Sequence, residues 1–244
     1  RAKKYLGQHF LNDLKIASDI TKLLSAETKN VVEIGPGMGV LTQFLVKNDY
    51  TTQVVEIDEE SVLYLRLNYP NLKIYEGDFL QLNLKEEYPF CISLIGNFPY
   101  NISSQILFKA FENKNQIIEV VGMFQKEVAE RIVCMQGKKR GVLSVFLQAF
   151  YNVEYCFTVN ENVFTPPPKV KSAVIRMLRN NRKELTVNEN KFKNVVKIAF
   201  NQKRKKLSNA LRPFILLDEE EIADLLTLRA EQLSVDDFIK ITNH

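Results

Sequence analysis

A chain of 244 residues with 45% hydrophobic and 25% charged residues, 9 Gly and 8 Pro is long enough for a full hydrophobic core and excludes a stapled mini-protein, a collagen-like chain and a disordered one. No run approaches the ~18 to 20 apolar residues of a membrane span, and the start Arg1-Ala2-Lys3-Lys4 lacks the apolar stretch of a signal peptide, so a cytoplasmic protein with no membrane partner is expected. Cys91, Cys134 and Cys156 form no CxxC pair and only His9 and His244 accompany them, so no metal is expected and the cysteines read as small apolar residues in a reducing compartment. The first residue is not Met, and further residues are expected before Arg1.

Asn12-Asp13 offers an N-cap, and Ile16, Ile20, Leu23 and Leu24 then keep helical spacing, which predicts a helix over roughly 13 to 25. The period then shortens. Val31-Val32-Glu33-Ile34, Gln53-Val54-Val55-Glu56-Ile57, Leu72-Lys73-Ile74-Tyr75, Phe90-Cys91-Ile92-Ser93-Leu94-Ile95 and Ile117-Ile118-Glu119-Val120-Val121 are short β-rich runs separated by mostly helical segments. Such alternation predicts βαβ units and a parallel sheet. A helix is predicted over 126–135, then two strands, Leu143 to Val159 and Ser172 to Leu178, closing the sheet as an antiparallel hairpin through a loop with Pro166-Pro167-Pro168. From about Asn180 the apolar spacing is that of short amphipathic helices, and Arg179-Asn180-Asn181-Arg182 has linker composition. The expected organisation is an α/β domain over 1–180 and a small helical domain over 181–244.

The net charge of +4 is unevenly placed. From Arg176 to Arg212, twelve Lys or Arg face Glu184 and Glu189, a balance of +10, and from Pro213 to His244 eight Asp or Glu face Arg229 and Lys240, a balance of −6. The basic block, with Lys203-Arg204-Lys205-Lys206 at its centre, reads as a footprint for a polyanion or as a solvated helix face.

The chemistry gathers at predicted strand ends. Glu33-Ile34-Gly35-Pro36-Gly37-Met38-Gly39 follows the first strand, and glycines there let the backbone turn tightly and approach a ligand. That turn suits a dinucleotide or S-adenosylmethionine, although Val40 stands where the dinucleotide fingerprint wants Gly or Ala. Glu56, 21 positions after Gly35, ends the next strand, where a carboxylate accepts ribose hydroxyls. Asp78 ends the third and suits an adenine amino group. Asn97-Phe98-Pro99-Tyr100 follows the fourth. An exocyclic adenine amine is a poor nucleophile because its lone pair is delocalised into the ring. The Asn97 side-chain oxygen and the Phe98 carbonyl, held by Pro99, each accept one N–H and draw the nitrogen towards tetrahedral geometry, while Tyr100 offers a face for an unstacked base.

With these residues in place the sequence resembles the small-subunit ribosomal RNA adenine N6,N6-dimethyltransferases over nearly the whole chain. The likeness takes in Leu6-Gly7-Gln8-His9-Phe10-Leu11, the glycine turn, Glu56-Ile57-Asp58, Asp78, Asn97-Phe98-Pro99-Tyr100-Asn101-Ile102-Ser103, Phe124-Gln125-Lys126-Glu127-Val128-Ala129-Glu130-Arg131 and Phe164-Thr165-Pro166-Pro167-Pro168-Lys169-Val170. The family usually has Asn at His9 and Leu at Phe98. The resemblance implies a Rossmann-like methyltransferase fold with a mostly parallel seven-stranded sheet. It implies S-adenosylmethionine held by His9, Leu11, Gly35, Gly37, Glu56, Asp78 and Asn97, and a target base between Tyr100 and Phe164. It further implies dimethylation of two adenosines near the 3′ end of small-subunit rRNA in a partly assembled subunit. A monomer is expected, and the charge placement puts Lys203, Arg204, Lys205 and Lys206 on RNA. Two other readings stand beside it: the large-subunit rRNA methyltransferases of macrolide resistance, and an RNA-binding assembly factor with incidental methylation.

Overall fold

The computed structural model describes residue 3, residues 6–212 and residues 220–244. Three of the four residues read as the chain's start, and Asp218 and Glu219 of the acidic stretch, lie outside the described residues. The chain divides into two compact units, Arg1–Ala129 with Asn152–Arg179, and Glu130–Tyr151 with Asn180–His244.

The strands are β1 (Phe10–Leu11), β2 (Asn30–Ile34), β3 (Thr51–Glu56), β4 (Lys73–Glu76), β5 (Ile92–Asn97), β6 (Ile117–Gln125), β7 (Tyr151–Val159), β8 (Phe164–Thr165) and β9 (Ser172–Arg179). Seven of them form one sheet in the order β4-β3-β2-β5-β6-β9-β7. The pairs β2–β3, β3–β4, β2–β5 and β5–β6 are parallel, and β6–β9 is antiparallel. The central strands are apolar along their length, Ile92, Leu94 and Ile95 being fully buried, as a sheet covered on both faces requires. The strand order reverses at β2, with β3 on one side and β5 on the other. This topological switch opens a crevice beyond the carboxyl ends of those strands, where ligands of open α/β sheets bind. The remaining two strands, β1 and β8, pair antiparallel, Phe10 opposite Thr165 and Leu11 opposite Phe164.

The opening helix is Leu14–Thr21, with Asp13 as its cap: the carboxylate accepts from the amides of Lys15 and Ile16 at 2.9 and 3.0 Å. One predicted element is corrected. Residues 143–150 are not strand but the greater part of the helix Val142–Phe150, and β7 begins only at Tyr151. Val145, Phe146, Leu147, Ala149 and Phe150 are all buried, so the helix has apolar residues on most sides and shows no clean period in sequence.

The second unit is helical. Glu189–Asn201 is capped by Asn188, and Val235–Asn243 by a reciprocal pair, Ser234 Oγ accepting from the Asp237 amide and Asp237 accepting from the Ser234 amide. Its core stacks Phe200 on Phe238 and sets Phe146 against Phe192. Among the described residues no helix is long and apolar enough to cross a membrane.

Candidate active site

The glycine turn after β2 is built from left-handed backbone. Gly35 and Gly37 have φ of 64° and 54°, and the Gly35 amide donates to the Val55 carbonyl of β3 at 2.9 Å. A Cβ on Gly37 would lie 3.0 Å from the Phe10 ring, so conformation disfavours side chains at both glycines and space disfavours one at Gly37 as well. Its amide donates to Glu56 Oε2 at 3.0 Å, and Glu56 Oε1 accepts from the amides of Ile57 and Asp58, each at 2.9 Å. Burial raises the Glu56 pKa, and the amides of Asp58, Gly37 and Ile57 oppose that rise. Three backbone donors leave Oε2 one lone pair. The next residue but one, Asp58, caps the helix Glu59–Asn68 and pairs with Lys3. Burial pushes its carboxyl up, but Lys3 and Ser61 outweigh it and hold the carboxyl below the usual range.

A cavity of about 630 Å³ lies at this end of the sheet. His9, Leu11, Gly35, Gly37, Glu56, Asp78 and Asn97 border it, as do Phe98, Pro99 and Tyr100. Asp78 Oδ1 accepts from the Leu80 amide at 2.8 Å, while Oδ2 has no partner among the described residues. Lys109 Nζ donates to the carbonyls of Leu80 and Leu82 at 2.8 and 2.6 Å and so fixes the loop that carries Asp78.

The amide of Asn97 is oriented by one bond, Nδ2 donating to the His9 carbonyl at 2.8 Å. This turns Oδ1 into an acceptor with no partner among the described residues. The Phe98 ring is sunk in the sheet, edge-on to Phe124 at 5.2 Å between centroids. It fits because position 122 is glycine: a Cβ there would come within 2.3 Å of the ring. The buried ring anchors the backbone, and the Phe98 carbonyl likewise has no partner among the described residues. Tyr100 hydrogen-bonds Ser172 Oγ through its hydroxyl and stacks on the His9 ring, centroids 5.4 Å apart. Burial raises its pKa.

Two sequence-selected residues stand apart. Phe164 is 3% exposed, belongs to the apolar cluster of Leu11, Ala17, Ile20, Val159 and Val174, and does not line the cavity, whereas its neighbour Thr165 does. Lys203 differs from Arg204, Lys205 and Lys206, which are exposed: its ammonium donates to the carbonyls of Lys138 and Arg140 at 2.5 and 2.9 Å and pairs with Glu231 at 3.5 Å. Sequence reasoning passed over Ser172, Lys109 and Glu33. Glu33 borders the cavity, is 1% exposed and accepts from Thr42 Oγ1 at 2.6 Å. Burial pushes its carboxyl up to about 8; the Thr42 bond opposes this and the charge of Glu56 adds to it. Only the position of Glu33 beside the glycine turn could have flagged it.

A Rossmann-like sheet whose glycine turn, Glu56 carboxylate and Asn-Phe-Pro-Tyr turn share one cavity defines an S-adenosylmethionine-dependent methyltransferase. The model of the family "Ribosomal RNA adenine dimethylase" matches residues 1–244, and the chain belongs to that family. It is 55% identical over 249 residues to the ribosomal RNA small subunit methyltransferase A of Cytophaga hutchinsonii, covering 100% of this chain and 96% of that protein. It is 56% identical over 251 residues to the protein of the same name in Bacteroides thetaiotaomicron, covering 100% and 93%. Among solved structures it is similar to a dimethyladenosine transferase from Plasmodium falciparum, with TM-score 0.81, 26% identity and 96% of each chain covered. A 23S rRNA methyltransferase, 22% identical with TM-score 0.77 over 96% of this chain and 98% of that one, shares the fold.

Proposed function

We propose that the protein methylates N6 of two adjacent adenosines near the 3′ end of small-subunit rRNA, giving N6,N6-dimethyladenosine. The observation that carries the reading is the pair of acceptors, Asn97 Oδ1 and the Phe98 carbonyl, without partners among the described residues and beside Tyr100 at the cavity. The names of the relatives support the target.

S-adenosylmethionine, when bound, supplies a methyl group already activated on a sulfonium. The residues present fit it. Glu56 Oε2 keeps a lone pair for a ribose hydroxyl, Asp78 Oδ2 is available to an amino group, and Gly35 and Gly37 leave room for a close approach. His9 and Leu11 are the cofactor contacts that the resemblance adds. Asn97 and Phe98 hold the two N–H groups of the adenine amine, so its lone pair turns towards the methyl carbon. With the donor bound, the amine nitrogen would take the methyl group in exchange for one proton, released to solvent at the open cavity. After one round a single N–H remains, and either acceptor holds it for a second. Tyr100 and Phe164 are assigned to the two faces of the base; for Phe164 this requires its ring to leave the apolar cluster. Residues 1–180 serve as the cofactor-binding catalytic domain and 181–244 as the RNA-binding domain of a cytoplasmic monomer acting on a partly assembled subunit. Arg204, Lys205 and Lys206 are suited to phosphate, and Lys203 is expected to contribute through the turn it holds.

The test is methyl incorporation into small subunits purified from a strain lacking the enzyme, compared with large subunits, naked rRNA and DNA, followed by nucleoside mass spectrometry. Dimethyladenosine confined to small subunits is expected. Preferential labelling of large subunits would move the protein to the macrolide-resistance branch, and binding without methylation would make it an assembly factor.

A further inference from the structure

Asp78 sits on a loop with few bonds of its own. The Gln81 amide donates to the Asp78 carbonyl at 3.1 Å and the Leu82 amide to the Phe79 carbonyl at 3.3 Å. Neither the Leu80 nor the Leu82 carbonyl receives a backbone amide among the described residues. Lys109, on the helix Ser103–Glu112, serves both carbonyls with one ammonium, at 2.8 and 2.6 Å. The same ammonium lies 5.3 Å from the centroid of the Phe79 ring, which is 3% exposed and borders the cavity. Charge and packing thus hold the loop from one side. Burial pushes the Lys109 pKa down, and the charges of Asp78 and Glu112 oppose the fall. Leu80 is the joint between the two charged groups: its carbonyl meets Lys109, and its amide donates to Asp78 Oδ1 at 2.8 Å, which leaves Oδ2 available.

We propose that Lys109 is a positioning residue for cofactor recognition: by holding the Leu80 and Leu82 carbonyls it fixes the Asp78 carboxylate that accepts the adenine amino group of S-adenosylmethionine, and so sets the preference for adenine over a ring with oxygen in that position. The inference rests on the reading of Asp78 above. Lys109 itself is not among the residues that line the cavity, so it acts through the loop and not on the ligand. A carboxylate on a fixed loop meets an amino group as acceptor to donor. Inosine has a carbonyl oxygen where adenosine has the amino group, which sets acceptor against acceptor, and a rigid site rejects such a mismatch more strongly than a yielding one.

The experiment is calorimetry of the full chain with S-adenosylhomocysteine and with S-inosylhomocysteine, in the wild type, Lys109→Met, Asp78→Ala and the double variant. The wild type should prefer the adenosyl ligand by about a hundredfold. Lys109→Met keeps an unbranched apolar stem and loses the ammonium. It should weaken S-adenosylhomocysteine about tenfold and leave S-inosylhomocysteine within about threefold, so the preference shrinks to about tenfold. In the Asp78→Ala background the same change should cost less than about twofold, since the carboxylate through which it acts is gone. An equal loss for both ligands would overturn the proposal, because a general softening of the fold does not tell an amino group from an oxygen. A tenfold loss that persists without Asp78 would overturn it too. Should Lys109→Met not fold, Lys109→Gln, which is shorter than lysine and uncharged, carries the same comparison. If Asp78→Ala keeps the wild-type preference, the reading of Asp78 fails and the proposal with it; a lost preference in Asp78→Ala beside an unaltered Lys109→Met overturns the proposal alone.

Discussion

Glu56 and Glu119 are buried carboxylates at opposite ends of one sheet, and among the described residues the first is held by backbone amides alone, the second mostly by side chains. Glu119, 0% exposed near the amino end of β6, accepts from Thr28 Oγ1 at 2.7 Å, Ser25 Oγ at 3.0 Å and Arg176 Nε at 2.9 Å. The Ser25 amide adds bonds at 3.1 and 3.2 Å, so side chains and one amide enclose it, and it ties the segment after the opening helix to β6 and β9. Glu56, at the carboxyl end of β3, is held by three backbone amides and borders the cavity. Backbone donors occupy little volume, so they orient the carboxylate and leave it reachable. Glu33 is a third case, with one hydroxyl partner and no amide among the described residues, and it holds its proton well into the neutral range. One residue type, equally buried, becomes a structural tie, a carboxylate turned to the cavity or a neutral acid according to the donors that the fold delivers.

The comparison breaks most visibly at Asn97. Asn97→Ala removes one positioned acceptor at the cavity end and should cut the single-turnover methylation rate on the order of 10² to 10³, with RNA affinity by filter binding little changed. Unaltered chemistry would deny the cavity end its role. At the other end, Glu119→Ala strands Arg176 and two hydroxyls among buried neighbours. It should destabilise the fold by about 3 kcal/mol in urea unfolding, while the methylation rate per folded molecule stays at the wild-type value. A lost rate in a stable variant would show that the amino end takes part in the reaction.

The third test concerns Glu33. Its pKa rises from 4.5 to about 8 on folding, so between those values the folded chain holds a proton that the unfolded chain has released. Stability therefore falls as pH rises from about 5 to about 8 and levels off above. In Glu33→Gln this part of the slope disappears, and denaturation at both ends of the window should show the variant gaining on the wild type as pH rises. An equal gap at both pH values would mean that the carboxyl is ionised in the folded state.

The sequence by itself determined the alternation of strand and helix, hence the parallel sheet, and placed Gly35, Glu56, Asp78 and Asn97 at successive strand ends. These features are local: a period, a turn residue or a strand terminus is written within a few residues, and topology then carries all four to one edge. Tertiary structure alone decided the rest. Val142–Phe150 is a helix because its neighbours bury it on most sides, a condition its own residues do not encode. Tyr100 meets Ser172 and His9 meets Pro166 across 72 and 157 positions, separations for which no spacing rule exists. Phe164 lies in the core and Lys203 turns onto a carbonyl pair while its neighbours face solvent. An aromatic ring or an ammonium carries the same chemistry inside or outside, and only the packing around it settles which it is.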